Sequence, residues 1–149
     1  MRFLLFTLCS GVMTLSTAAS TITINCPSNF PAEVMKFSGA PAGWTPFAPY
    51  SLEVLTADIM YGPPSSYKLA VPTTYRESKR HIVATWGLSP RPEDPKWLQC
   101  GYGRGAEVTL STQLPANVSE CTVTRYKDAE GNVEKVEATC KLTPSKPAP

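Results

Sequence analysis

Reactive and metal-binding residues are scarce in this sequence. His81 is the only histidine, and the five cysteines include no C-x-x-C pair, so the usual zinc ligand sets are missing. No G-x-S-x-G element or other nucleophile signature is present for His81 to serve as a base. Glu93 and Asp94 are adjacent between prolines, an arrangement that rarely converges on one sugar substrate. These absences predict a protein that is not an enzyme and needs neither metal nor cofactor.

Excess charge of either sign is also missing. The chain has 14 Lys and Arg against 12 Asp and Glu, a net charge of +2. Such a balance gives no long-range attraction to nucleic acid or anionic lipid. The densest basic stretch, residues 76–81, is interrupted by Glu77, and a solvated loop is its simplest interpretation. The alternative is that Arg76, Lys79 and Arg80 contact an acidic partner surface, a polyanionic cell-wall polymer or a lipopolysaccharide phosphate.

Long helices are excluded by proline. The fifteen prolines are about twice the usual share of roughly 5%. Each proline removes a backbone donor and interrupts a helix, so short strands with rigid connections are expected.

One apolar run stands at the amino terminus. Arg2 precedes the run from Phe3 to Leu15, and small residues end at Ala19. The run is too short to span a bilayer and is followed by a small-residue cleavage site, so residues 1–19 are predicted to be a signal peptide. The mature protein is expected to be periplasmic or secreted, with no membrane span after cleavage.

Alternating apolar residues predict a small antiparallel β-rich domain over residues 20–142, followed by a disordered tail over residues 143–149. Consecutive strands in the last third are expected to pair. A short element is predicted over residues 32–37. The predicted strands are 21–26, 52–61, 67–71, 80–88, 97–102, 107–114, 121–127 and 133–142.

Cysteine number predicts two disulfides. Signal cleavage would remove Cys9 and leave four cysteines in an oxidising compartment, with three possible pairings. In the last hairpin, a four-residue turn over 128–131 places Cys121 opposite Ala138 and diagonal to Cys140. This favours Cys121 with Cys140, and therefore Cys26 with Cys100.

A glycine-rich run, Gly101-Tyr102-Gly103-Arg104-Gly105-Ala106, formally matches the dinucleotide-binding pattern G-x-G-x-x-A. That pattern requires a following helix, whereas residues 107–114 alternate as a strand. A hairpin turn is therefore predicted.

Trp44 is the best candidate for a binding anchor. It follows Gly43 within a proline-rich stretch, where an exposed ring can contact a partner. Together with Arg76, Lys79 and Arg80, it suggests a monomeric protein that binds another protein in the cell envelope or outside the cell. An inhibitor or immunity protein fits this description. The alternatives are a small secreted hydrolase with an unrecognised site and a structural component of the envelope.

The mature sequence resembles a family of small, uncharacterised secreted proteins of Gram-negative bacteria. This resemblance implies a periplasmic location, and it implies neither an activity nor catalytic residues. The residues that carry it are Cys26-Pro27, Gly43-Trp44, Gly62-Pro63-Pro64, Pro72, Trp86, Trp97-Leu98-Gln99-Cys100-Gly101-Tyr102 and Cys121.

Overall fold

The computed structural model describes residues 20–89 and 95–144. The predicted signal peptide, the Glu93 and Asp94 pair and residues 145–149 lie outside this part of the chain. Short 3-10 turns occur at Ala32–Val34 and Pro64–Ser66. The strands are β1 Ser20–Asn25, β2 Asn29–Phe30, β3 Leu52–Tyr61, β4 Thr74–Glu77, β5 His81–Gly87, β6 Lys96–Tyr102, β7 Val108–Gln113, β8 Val118–Lys127 and β9 Val133–Leu142.

The strands form two antiparallel sheets. One sheet has five strands in the order β1-β9-β8-β5-β4, and the other has four in the order β2-β3-β6-β7. The prediction of a mainly β, antiparallel fold with two disulfides is confirmed. Consecutive pairing holds for β6 with β7 and for β8 with β9, but it is wrong between β7 and β8. The chain crosses from one sheet to the other between β7 and β8, in a connection that includes the buried residue Leu114.

Both sheets contribute to one apolar core. In β5 the buried residues Ile82, Ala84 and Trp86 alternate with more exposed ones, which is the period of a strand with one face covered. Ile59 and Leu98 are fully buried in the opposite sheet. The core therefore lies between the sheets, and the loops surround it.

The two predicted disulfides are present. Cys26, just after β1, is bonded to Cys100 of β6, so this bridge joins the two sheets, with a Cα–Cα distance of 5.8 Å. Cys121 and Cys140 are bonded across the β8–β9 hairpin, with a Cα–Cα distance of 4.1 Å. One bridge constrains the packing of the sheets, and the other constrains pairing within one sheet.

The predicted register of the β8–β9 hairpin is wrong by two residues. Cys121 lies opposite Cys140 rather than Ala138. One residue of the shift comes from the turn, which closes between Asp128 and Asn132 through a backbone bond of 2.9 Å. The other comes from an irregularity between Tyr126 and Lys127. From Cys121 to Tyr126 the shift is two residues, which leaves the side chains of this stretch on their predicted faces, so the disulfide prediction survives.

Three local predictions are also corrected. The expected strand over 67–71 is absent from the described structure, where Leu69 forms an isolated bridge to Met60 and Tyr67 has a φ of 52°. The left-handed conformation of Tyr67 interrupts an extended chain. Strands β2 and β4 were not predicted, because β2 is very short and β4 is exposed on both faces. The 3-10 turn at Ala32–Val34 occupies the start of the short element expected over 32–37.

The glycine-rich run forms the turn between β6 and β7, as predicted. The N–H of Ala106 donates to the carbonyl of Gly103, which has a φ of 84°. A Cβ atom at Gly101 would lie 2.7 Å from the Cβ of Ala106, so close packing requires glycine there. The glycines serve this turn rather than a nucleotide.

Thr143, the first residue of the predicted tail, is hydrogen-bonded to Asn117. The backbone N–H of Thr143 donates to the carbonyl of Asn117 at 2.9 Å, and the Asn117 amide donates back to the Thr143 carbonyl at 2.8 Å. These bonds hold Thr143 against the start of β8.

Lys96 is a buried cation at the start of β6. Its Nζ donates to the carbonyl of Ala116 at 3.0 Å. Burial lowers the pKa of the ammonium group from its ordinary value of 10.5, because the charged form loses hydration.

We expect this titration to make stability rise with pH toward 10.5. The unfolded chain keeps the ordinary pKa and binds more protons between the lowered value and 10.5, so the cost of burying the charge is present at neutral pH and disappears across that interval. Urea unfolding of the wild type and Lys96→Met at several pH values tests this. Burial also raises the pKa of Tyr102, but Tyr102 is present in both proteins and so does not affect the comparison between them. Equal slopes for the two proteins would contradict the prediction.

Candidate functional site

The segment between β2 and β3, residues 31–51, exposes several large apolar side chains. We call it the aromatic loop. A hydrogen bond from the Trp44 N–H to the Pro41 carbonyl closes a tight turn in which Gly43 has a φ of 82°. Trp44 is 75% exposed. The other exposed apolar residues of the loop are Val34, Phe37, Phe47 and Tyr50.

Trp44 borders a shallow depression of about 370 Å³. Phe37, Pro41 and Pro46 contribute to its walls, so the lining is mainly apolar. An exposed indole beside an apolar depression can enter a partner's pocket while the depression accepts a side chain in return. Trp44 is therefore exposed beside an apolar depression, and its role as a binding anchor stays a prediction.

The predicted basic residues lie together on the β4–β5 hairpin. Arg76 is in β4, Lys79 and Arg80 are in the turn, and all three are exposed. The turn is held by Ser78, whose N–H donates to the carbonyl of His81 at 2.8 Å. None of the three cations forms an ion pair within the described residues. They are available to an acidic surface, on a different segment from Trp44.

His81 packs against an aromatic ring. Its imidazole meets Tyr126 edge-on, with ring centroids 5.3 Å apart and an interplanar angle of 83°. No imidazole hydrogen bond occurs among the described residues, and no described group of three or more metal-ligating residues is placed to hold an ion. The geometry around His81 is that of an exposed residue at the start of a strand.

A second exposed apolar surface was not predicted as a site. Tyr67, Leu69, Val71 and Tyr75 are all exposed along the segment that leads into β4, and we call them the edge row. The sequence signal was present, since every second residue from 67 to 71 is large and apolar. This alternation predicts a strand, but it does not say whether the apolar face is covered, so it did not identify an exposed surface.

Hydrogen bonds hold this segment across one side of the molecule. The N–H of Ala70 donates to the carbonyl of Ile59 in β3 at 2.8 Å. The indole of Trp86 in β5 donates to the Ala70 carbonyl at 3.0 Å. Thr73 then donates to Thr85 at 2.7 Å, which starts the pairing with β5. The edge row is therefore anchored to both sheets by its backbone while its side chains remain exposed.

A disulfide-braced pair of sheets with exposed apolar and basic side chains presents surfaces that another macromolecule can contact. Residues 47–141 match the sequence model of the type VI secretion system Tli immunity protein family. The match covers more than half of the chain, and the protein belongs to this family. It includes the edge row and the β4–β5 hairpin, while Trp44 lies before it.

One curated relative is similar over most of its length. It is an uncharacterized 16.3 kDa protein in the trpG 5' region of Azospirillum brasilense, 24% identical over 123 residues, which cover 78% of this chain and 80% of the relative. No solved structure matches. The expected relation to a small bacterial protein family is confirmed, whereas the residue pattern behind the resemblance stays a prediction. No helix in the described residues is long and apolar enough to cross a membrane.

Proposed function

We propose that this protein is an immunity protein that binds a toxin delivered by a type VI secretion system and blocks its action. The match over residues 47–141 is the observation that carries the proposal. The exposed aromatic loop, edge row and basic hairpin supply surfaces for a protein partner. Inhibition by binding needs no catalytic group, so the protein is proposed to have no enzymatic activity.

The proposed compartment is the periplasm. Cleavage after Ala19 would release a mature chain that starts at Ser20, and two disulfides form most readily in an oxidising environment. The mature protein is proposed to act there as a monomer, without a membrane span, against a toxin that reaches the same compartment.

Protection of living cells tests the function. Each effector exported by the type VI secretion system of the source bacterium is directed singly to the periplasm of a test strain, with or without this protein. Growth restored against one effector, together with a complex of the two purified proteins, is the expected result. His81→Ala is the control for a catalytic mechanism and should protect fully. Failure to protect against every effector would reject the proposed function.

The Trp44 ring is expected to contribute to toxin binding and little to stability. In Trp44→Ala the dissociation constant should rise by about tenfold or more, as for a central aromatic contact. The melting temperature should stay within about 2 °C of wild type, because the side chain is 75% exposed. Calorimetric titration and thermal unfolding measure the two quantities.

Leu110→Ala provides the matched control for Trp44→Ala. Leu110 is an exposed apolar residue on β7, 37% exposed and outside the aromatic loop. Its replacement should leave toxin affinity unchanged. A fall in melting temperature without loss of affinity in Trp44→Ala would assign Trp44 a structural role instead.

A further inference from the structure

Strand β4 is an edge strand that the rest of the described domain does not cover. It pairs with β5 alone and stands last in the order of its sheet. All four of its residues are exposed, and so is every residue from 71 to 81. Edge strands with unpaired backbone groups are templates for pairing with another chain, and proteins normally shorten or cover them.

The hydrogen bonds show which backbone groups point outward. Ser78 donates its N–H to His81 of β5, and register pairs Arg76 with Val83. In an antiparallel ladder, alternate residues face the partner strand, so Tyr75 and Glu77 direct their N–H and C=O groups away from β5. These groups are available to a further strand.

The exposed side chains near β4 are mainly apolar and basic. The edge row contributes apolar contacts, with Val71 84% exposed. Lys68, Arg76, Lys79 and Arg80, in or next to the same segment of the chain, are exposed and positively charged. Glu77 is the acidic residue of β4, and it is neutralised by an ion pair with Lys127 of β8. The surface is therefore complementary to an extended segment that carries both apolar and acidic side chains.

The other sheet edges lack this combination. At β1, Ile22 and Ile24 are partly buried against the core, and β2 is only two residues long. At β7, Leu110 is the exposed large apolar residue, among threonines, a serine and a glutamine. The β4 edge alone among these edges joins free backbone groups to exposed apolar and basic side chains.

We infer that β4 binds the toxin by strand addition. An extended toxin segment with apolar and acidic side chains pairs with the outward backbone groups of Tyr75 and Glu77 and extends the five-stranded sheet. Main-chain hydrogen bonds provide affinity, and the edge row and the basic residues select the segment. This inference rests on the proposed function and names the surface and the partner chemistry that carry it out.

Two substitutions at Tyr75 separate strand addition from simple apolar contact. Tyr75→Ala removes the ring and keeps the outward N–H, while Tyr75→Pro also removes the N–H that would pair with the toxin. Proline is tolerated at such a position because its missing N–H faces away from β5. Toxin affinity should fall by about tenfold in Tyr75→Ala and by about a further fivefold or more in Tyr75→Pro. Thermal unfolding checks that both variants fold.

The same charged substitution at two exposed apolar positions, one inside and one outside the edge row, tests which surface binds the toxin. Val71→Asp, in the edge row, should weaken toxin binding by about tenfold or more, whereas Leu110→Asp on β7 should not weaken it. Hydrogen exchange of the wild-type complex gives a readout that does not depend on any variant. The Tyr75 and Glu77 amides should exchange rapidly in the free protein and slowly in the complex.

The outcomes distinguish this inference from the function on which it rests. If no effector binds the wild type, the immunity function is rejected and strand addition is rejected with it. If an effector binds the wild type and Tyr75→Pro equally, with no protection of the Tyr75 and Glu77 amides, strand addition is wrong and the immunity function stands. Weaker binding by Tyr75→Pro than by Tyr75→Ala, with protection of both amides in the wild-type complex, supports the proposal.

Discussion

Loss of the Cys26–Cys100 disulfide is expected to lower the free energy of unfolding by roughly 4.5 kcal/mol, the value for closing a loop of about 75 residues in the chain-entropy model. The two cysteines are separated by 74 positions, and the bond joins the end of β1 to β6 in the other sheet. Without it, the unfolded chain gains freedom and the two sheets lose their covalent link. This cost is comparable with the whole stability of many small domains, about 5–15 kcal/mol.

The Cys121–Cys140 bridge provides the matched comparison. Its separation is 19 positions, for which the same model gives roughly 3.3 kcal/mol. Paired Cys→Ala substitutions at each bridge, followed by urea unfolding at one pH and temperature, measure the two losses. The long bridge should have the larger effect, because strands β8 and β9 remain paired by their own ladder when the short one is absent. A larger loss at the short bridge would contradict this ranking.

Tyr102 is expected to give opposite results for two substitutions. Its side chain is fully buried in the core, with its ring centroid 6.0 Å from that of Phe30. Tyr102→Ala should lower the free energy of unfolding by about 3–5 kcal/mol, because it removes a large ring and leaves a cavity. The hydroxyl, in contrast, has no hydrogen-bond partner within the described residues.

Tyr102→Phe is therefore expected to leave stability unchanged or to raise it by up to about 1 kcal/mol, since an unsatisfied hydroxyl is costly to bury. The comparison isolates the hydroxyl from the ring. Denaturant unfolding of the three proteins gives both differences. A loss of more than about 1 kcal/mol in Tyr102→Phe would show that the hydroxyl makes a stabilising interaction.

The strands that have one face buried were predictable. The bounds of β3 and β9 agree with prediction, and those of β5, β6 and β7 differ by about one residue at either end. In β5, β6 and β9 the alternation of apolar residues reflects burial, which is strong enough to specify both the strand and its inward face. Strand β7 was predictable from its alternating sequence, although none of its residues is buried. Strand β4 was missed because neither of its faces is buried, so burial left no pattern in its sequence.

The candidate site was predictable in part. Trp44 was singled out because proline and glycine around it argue against a buried strand, and the structure places it in an exposed loop. The edge row was not predicted as a site, although residues 67–71 were visible as an alternating segment. Alternation reports that one face differs from the other, and only the packing of neighbouring elements decides which face is exposed.

By itself, the sequence determined the fold class, the number of disulfides and the direction of most buried side chains, since these depend on local alternation and on the number of cysteines. It favoured the disulfide pairs that the structure contains, out of three possible pairings. Tertiary structure decided the assignment of β7 and β8 to different sheets, the register of the last hairpin and the exposure of β4. Each of these depends on contacts between residues far apart in the chain or on the closure of one turn. Local propensity does not contain that information, because the free energy of a sheet pairing is set by both strands together.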